Sequence, residues 1–344
     1  MEAAIDRGEF PQTTSLLVVQ NGATVYERYW QANVDTQHDT RSATKSLTAL
    51  AAGIAIGQGV LPSVDAPVFA YLADLAPFAN DTPAKQAITV ADLLTMSSAL
   101  DCNDDVADSP GNEENMYPKQ QWARWAVDLP TRAYARDPRG RGPFAYCTAG
   151  VFLLGQIIAR AVGAKLDDWL DDVLFHPLGI TQGEWARSPS GELMTGGGLR
   201  LRTRDLAVLA QMVMDGGSWQ GRQIVPADFV ARATTPQRQA SSDADYGYLF
   251  WHRRYRSTCG SSSGWLMSGN GGNAIVVLRD LRAVVAVTRV HYNSRGMHDE
   301  TRKLIEEFVL PNLPCPAAAP PRTAGAETRR AGQSSPGVQT AGGR

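Results

Sequence analysis

Apolar residues recur at two different periods along this chain, and the change of period divides it. Ser15–Gln20 and Ala23–Trp30 are rich in aliphatic, β-branched and aromatic residues, and Asn21-Gly22 between them predicts a tight β-hairpin. Near the other end, Asn273–Leu278 and Ala283–Thr288 form a second such pair, joined by a turn at Arg279–Arg282. Tyr246–Trp251 reads as a further strand. Between the ends the spacing is helical, over Ser42–Gly57, Val90–Ser97, Lys119–Val127, Thr148–Val162 and Thr203–Met214. Thr40, Ser42 or Thr44 stands where a cap for the first of these belongs. A closing amphipathic helix is expected from about Asp299 to Leu310, stopped by Pro311. Strands at both ends with helices between them imply an α/β fold whose terminal strands share one mainly antiparallel sheet.

Composition narrows the picture. The chain has 344 residues, 43% hydrophobic and 20% charged, enough for a substantial core. A net charge of −2 leaves no strong field to attract nucleic acid or anionic lipid. The longest apolar stretch, Leu47–Ile56, contains Thr48 and Gly53 and is too short to span a membrane. Four cysteines without a C-x-x-C pair exclude a zinc ribbon, and the histidines show no ligand spacing, so no metal is expected. No internal repeat is visible. From Pro314 to Arg344 only Val338 is aliphatic beyond alanine, and residues 314–344 are expected to be a disordered tail. No basic-then-apolar leader follows Met1, so the chain as written reads as cytoplasmic, or as periplasmic or secreted if an export segment lies upstream. An enzyme or binding protein for small molecules remains, of open oligomeric state.

Four short patterns bear on chemistry. Ser42-x-x-Lys45 at a helix start puts a hydroxyl and an amine on one face, beside backbone N–H groups suited to an oxyanion. With 20 serines and five lysines, roughly 0.3 such matches arise by chance, so the pair gains weight only from company. Phe144-Ala145-Tyr146-Cys147-Thr148 precedes a helix, and its tyrosine is either a proton relay or a core residue with Thr148 as cap. Met267-Ser268-Gly269-Asn270-Gly271-Gly272 precedes a strand, where glycines let a substrate approach the backbone. The same stretch matches a dinucleotide fingerprint on paper, but a strand follows where a helix is required. Gly260-Ser261-Ser262-Ser263-Gly264 satisfies G-x-S-x-G literally, yet its surroundings favour a flexible Ser/Gly loop over a nucleophile elbow at Ser262.

Taken in order, Ser42-x-x-Lys45, Tyr146-x-Thr148 and Met267-Ser268-Gly269 resemble the three active-site elements of the penicillin-recognising serine hydrolases. The chain is most similar to the class C β-lactamase-related group, which includes esterases, D-amino-acid peptidases and a nylon-oligomer hydrolase. Ile88–Leu100, Gly196–Leu206 and Tyr246-Gly247-Tyr248 add to the resemblance, which extends from about Ser15 to Leu310. It implies a discontinuous sheet domain (residues 1–58 and 195–313) beside a mainly helical domain (residues 59–194), with no cofactor. It further implies that Ser42 is the nucleophile, Lys45 its base and Tyr146 the proton relay. The oxyanion hole would be the N–H groups of Ser42 and Asn270, with Ser268, Gly269 and Thr148 beside the substrate.

Two departures matter. Thr148 stands where the family's lactamases have asparagine, and Met267 where they have lysine. A thioether cannot pair with a carboxylate, although Arg200 or Arg253 could supply the missing charge. The expected activity is therefore hydrolysis of esters or amides through an acyl-enzyme, with short acyl esters preferred over lactams. The rivals are a β-lactamase or D-alanyl-D-alanine carboxypeptidase, and a non-catalytic ligand-binding or sensor protein, which would acylate once without turning over. In the family's fold the segment before Cys102 leads to the cleft wall, so a bridge to Cys147 in the tyrosine motif is a further expectation.

Overall fold

A computed structural model describes residues 1–134, 137–138 and 140–315. Residues 316–344, nearly all of the expected tail, lie outside the described residues. Eight strands form one sheet: β1 (Thr13–Gln20), β2 (Ala23–Tyr29), β3 (Arg238–Gln239), β4 (Asp245–Tyr246), β5 (Trp251–Ser257), β6 (Gly260–Gly269), β7 (Asn273–Leu278) and β8 (Ala283–Arg289). Their spatial order is β2-β1-β8-β7-β6-β5-β4-β3, and every neighbouring pair is antiparallel. The first strand of the chain thus lies against the last, with Leu17 opposite Ala286. The β1–β2 turn needs two left-handed residues, and Asn21 (φ 52°) and Gly22 (φ 79°) supply them.

Alternation along the strands sorts the sheet into two cores. Leu17, Val19, Ile275, Val277 and Ala286 face the helices, whereas Leu16, Val18, Val276, Leu278 and Val287 face the N-terminal segment and the C-terminal helix. The principal helices are α1 (Thr44–Gly57), α2 (Val90–Leu94), α3 (Trp122–Val127), α4 (Thr148–Val162), α5 (Thr203–Met214) and α6 (Met297–Leu304). Every residue of α1 from Thr44 to Ala55 is buried, because α4, a short helix at Ala227–Ala233 and strand β6 pack against it. Threonine hydroxyls anchor α1 and the residues leading into it to the segment running alongside: Thr48 Oγ1 donates to Thr195 O (2.7 Å) and Thr40 Oγ1 to Leu199 O (2.7 Å). No single helix among the described residues is long and apolar enough to cross a membrane.

Four local expectations are corrected. Gly260–Gly264 is not a loop but the start of β6, paired with β5 from Gly260↔Ser257 onward; cross-strand bonding outweighs its poor intrinsic strand propensity. Tyr246–Trp251 is not one strand, since Leu249 takes φ 57° and breaks the run between β4 and β5. No side chain caps α1, whose start is a 3-10 turn at Arg41–Ala43. The closing helix begins at Met297 and continues past Leu304 as a wider π turn, and Pro311 lies inside a final 3-10 turn.

Candidate active site

Ser42 sits in the 3-10 turn that leads into α1, and Lys45 follows one turn later. Lys45 is 1% exposed, and its Nζ donates to Ser42 Oγ (2.9 Å) and to Gly196 O (2.6 Å). The preceding residue, Arg41, holds φ 50°, uncommon outside glycine, and its N–H donates to Asp39 Oδ1 (2.9 Å). This irregular entry presents Ser42 at the surface while the rest of α1 stays buried.

Tyr146 ends the loop before α4. Its ring lies over the Lys45 ammonium (4.9 Å to the centroid) and stacks on Trp251 (5.7 Å). Beneath it a disulfide joins Cys102 to Cys147, with Cα atoms 5.4 Å apart. The bridge brings Asp104 to the N-terminus of α4, where its carboxylate accepts from Thr148 N–H (2.7 Å) and Glu113 N–H (2.9 Å). Burial pushes the Asp104 carboxyl above the usual carboxylate range, and the Lys45 charge opposes that shift.

Ser268, Gly269 and Asn270 close the other side. A Cβ on Gly269 would stand 2.2 Å from Thr40 O, so only glycine lets β6 come this close to the Ser42 turn. Asn270 is fixed by its side chain, which donates to Asn293 Oδ1 (2.6 Å) and accepts from Asn293 N–H (2.8 Å). The N–H groups of Ser42 and Asn270 donate to no acceptor among the described residues. Behind the turn, buried Arg289 bonds Met297 O, Thr301 Oγ1, Pro11 O and Glu300, tying β8 to α6.

Two cavities open from Ser42, and both are bordered by Ser42, Glu113 and Asn270. One, of about 450 Å³, runs past Arg41, Trp185, Gly197, Arg200 and Tyr292. The other, of about 320 Å³, runs past Tyr146, Trp251, Arg253, Ser268 and His298. Ser42, Lys45, Tyr146, Ser268, Gly269 and Asn270 therefore converge. Thr148 lines neither cavity and is fully buried, as is Met267, which packs into the helix-side core. Asp104 and Glu113 were not anticipated, and the signal for them was the Cys102–Cys147 pairing, which places the Asp104 loop beside Tyr146.

The literal G-x-S-x-G match has its own hydrogen-bonded chain. Ser263 Oγ contacts His252 Nε2 (2.6 Å), whose Nδ1 contacts Asp245 (3.2 Å). Yet Ser263 lies in a continuous strand and its own N–H is committed to Asp280 (3.1 Å), so it is not free to hold an oxyanion.

Residues 7–307 match the family model described as Beta-lactamase, and the chain belongs to that family. It is 26% identical over 267 residues to a 6-aminohexanoate-dimer hydrolase from Paenarthrobacter ureafaciens, covering 75% of this chain and 65% of that protein. The chain thus spans about two thirds (65%) of the length of this curated relative. Among solved structures it is similar to EstCE1, a hydrolase with promiscuous acyltransferase activity (TM-score 0.69, 15% identity, 89% of this chain and 96% of that one). A penicillin-binding protein from Bacillus halodurans is similar too (TM-score 0.68, 17% identity, 89% of this chain and 99% of that one). At such identities the two structures establish a shared β-lactamase/penicillin-binding-protein fold.

Proposed function

We propose that this protein is a serine hydrolase of the class C β-lactamase-related kind, acting on esters or amides through an acyl-enzyme. The observation that carries the proposal is the Ser42 Oγ–Lys45 Nζ contact of 2.9 Å at the junction of two cavities. With Lys45 as the neutral amine, Ser42 Oγ attacks the substrate carbonyl carbon as its proton passes to the lone pair of Lys45 Nζ, while an Nζ–H stays on Gly196 O. The carbonyl oxygen becomes an oxyanion between the N–H groups of Ser42 and Asn270; one such donor is typically worth about 3 kcal/mol. The tetrahedral centre then collapses, the bond to the leaving oxygen or nitrogen breaks, and Tyr146 relays the proton to that atom. Water attacks the ester on Ser42 by the same route in reverse and releases the acid. The relative's name, 6-aminohexanoate-dimer hydrolase, fits this reaction class.

A fluorophosphonate probe tests the proposal. Mass mapping should find the label on Ser42 alone, and Ser42→Ala should abolish both labelling and turnover of para-nitrophenyl butyrate. Label on Ser262 or Ser263 would overturn the assignment. Stoichiometric acylation of Ser42 without turnover would favour a sensor protein instead.

A further inference from the structure

Neither donor of the proposed oxyanion hole sits in regular structure. Ser42 lies in the 3-10 turn before α1, and Asn270 in the turn between β6, which ends at Gly269, and β7, which begins at Asn273. Such donors act only if they are aimed in advance at one oxygen position. One loop, residues 290–296 between β8 and α6, touches the surroundings of both.

The Arg41 guanidinium lies over the Tyr292 ring, 4.3 Å from its centroid, and Arg41 immediately precedes Ser42. Asp39 grips Arg41 from its own strand, 3.2 Å from Nε. Arg41 needs such a hold, because its backbone takes φ 50°, a conformation disfavoured for a long side chain. Asn293 pairs with Asn270 in both directions: Asn270 Nδ2 donates to Asn293 Oδ1 (2.6 Å), and Asn293 N–H donates to Asn270 Oδ1 (2.8 Å). Two opposed bonds close a ring, so neither residue turns without breaking both. Asn293 itself takes φ 56°, which asparagine tolerates better than most residues. Behind them the Asn270 carbonyl accepts from Asn273 Nδ2 (2.8 Å), and Asn273 Oδ1 accepts from Arg289 N–H (3.2 Å). The next residue is fitted to the same loop: a Cβ on Gly271 would stand 2.7 Å from the Tyr292 ring. Arg41, Ser42, Asn270, Tyr292 and Asn293 border one cavity.

We infer that Tyr292 and Asn293 are positioning residues of the oxyanion hole. They grip the residue before Ser42 and the side chain of Asn270, so that the two N–H groups face one point. The inference rests on the proposed function, in which those N–H groups hold the oxyanion. In this role neither side chain touches the reacting atoms. Their effect falls on the tetrahedral state, where charge collects on oxygen, and little on ground-state binding.

Para-nitrophenyl butyrate and its thiono analogue, with C=S in place of C=O, test this. Sulfur accepts hydrogen bonds weakly, so the thiono ester gains little from the hole. Each kcat/KM is divided by the ester's alkaline hydrolysis rate, and wild type should then favour the oxygen ester by about 10–100-fold. Asn293→Gly removes the side chain without straining the left-handed backbone. It should cut kcat for the oxygen ester about tenfold or more, with KM within about twofold, and lower the oxygen-to-sulfur ratio by a similar factor. Tyr292→Ala should lower the ratio too, and Tyr292→Phe, which keeps the ring over Arg41, should restore most of it. Arg295→Ala, an exposed change in the same loop, should preserve it.

A variant that only loosened the fold would slow both esters alike. An unchanged ratio in Asn293→Gly or in Tyr292→Ala therefore overturns the assignment of that residue, and a wild-type ratio near one overturns both. If Ser42→Ala hydrolyses both esters as fast as wild type, the serine-hydrolase reading fails instead. Should neither ester turn over, the rate of Ser42 labelling by the fluorophosphonate makes the comparison, since its phosphoryl oxygen takes the oxyanion's place. Equal labelling rates in wild type, Asn293→Gly and Tyr292→Ala overturn the inference.

Discussion

The two sides of the Ser42 cleft are built on different principles. On the proposed reaction side, Lys45 is almost wholly buried, its Nζ bonds both Ser42 Oγ and Gly196 O, and a disulfide anchors the Tyr146 loop. On the proposed recognition side, Ser268, His298 and Arg253 stand around an open cavity, and Arg253 has no ion-pair partner among the described residues. Under the proposed function, the contrast teaches that chemistry is secured by internal contacts, which leave little freedom, while specificity is left to groups that face the open cavity. Met267 packs into the core, while Arg253 on the neighbouring strand borders the cavity.

The hardest way to break that contrast is to remove the reaction side. Ser42→Ala should lower kcat for para-nitrophenyl butyrate by roughly 10⁴-fold or more, given how single nucleophile deletions behave. Lys45→Ala and Tyr146→Phe should each cost at least about a hundredfold. Losses of only a few-fold in steady-state assays would show that these side chains do not carry the proton.

The next test separates the two disulfides. Opening the Cys102–Cys147 bridge with a double serine variant should lower unfolding free energy by about 2–4 kcal/mol in urea titrations. It should also reduce kcat, because the Tyr146 and Asp104 loops lose their common anchor. Opening Cys259–Cys315, which joins the β5–β6 turn to the end of the described chain, should cost stability with kcat essentially retained. Equal effects on kcat would mean that the reaction side owes nothing special to its staple.

The recognition side can be sharpened with substrates. Thr148 is fully buried and cannot offer an amide to a lactam's acylamido group. The kcat/KM for para-nitrophenyl butyrate should therefore exceed that for a chromogenic cephalosporin by at least about tenfold. The reverse order would refute the ester preference.

The smallest effect is on pH. His38 and His298 are both pushed down to about 4, chiefly by burial, from a usual 6.5. The unfolded chain then binds protons first as pH falls, so the stability these neutral rings contribute is complete above pH 6.5 and is lost on descending from 6.5 towards 4. At pH 5.5 each should cost about 1.4 kcal/mol relative to pH 7.5. His298→Gln should flatten part of that slope in thermal melts, and an unchanged slope would contradict the burial.

Much of this was legible in the residues. The Asn21-Gly22 hairpin, the second hairpin at the far end and the long helices at Thr148–Val162 and Thr203–Met214 follow from local periodicity, and all four stand as read. So does the closeness of Ser42 and Lys45, because a three-residue spacing on a helix start needs no distant contact. What misled was also local: the polar run Gly260–Ser263 looks like a loop because its strand character comes from pairing with β5.

The sequence by itself thus determined the helix-borne pair, the order of the three motifs and the family resemblance, since each is encoded within a few neighbouring residues. Only the tertiary structure decided which side chains face the cleft. Strand parity turned Met267 inward and Arg253 outward, the Cys102–Cys147 bridge delivered Asp104 to α4, and the close approach of Gly269 to Thr40 brought the end of β6 to the Ser42 turn. Those placements depend on register and packing between segments that are not neighbours in sequence, from the Cys102–Cys147 bridge, 45 residues apart, to the contact of Gly269 with Thr40 across most of the chain.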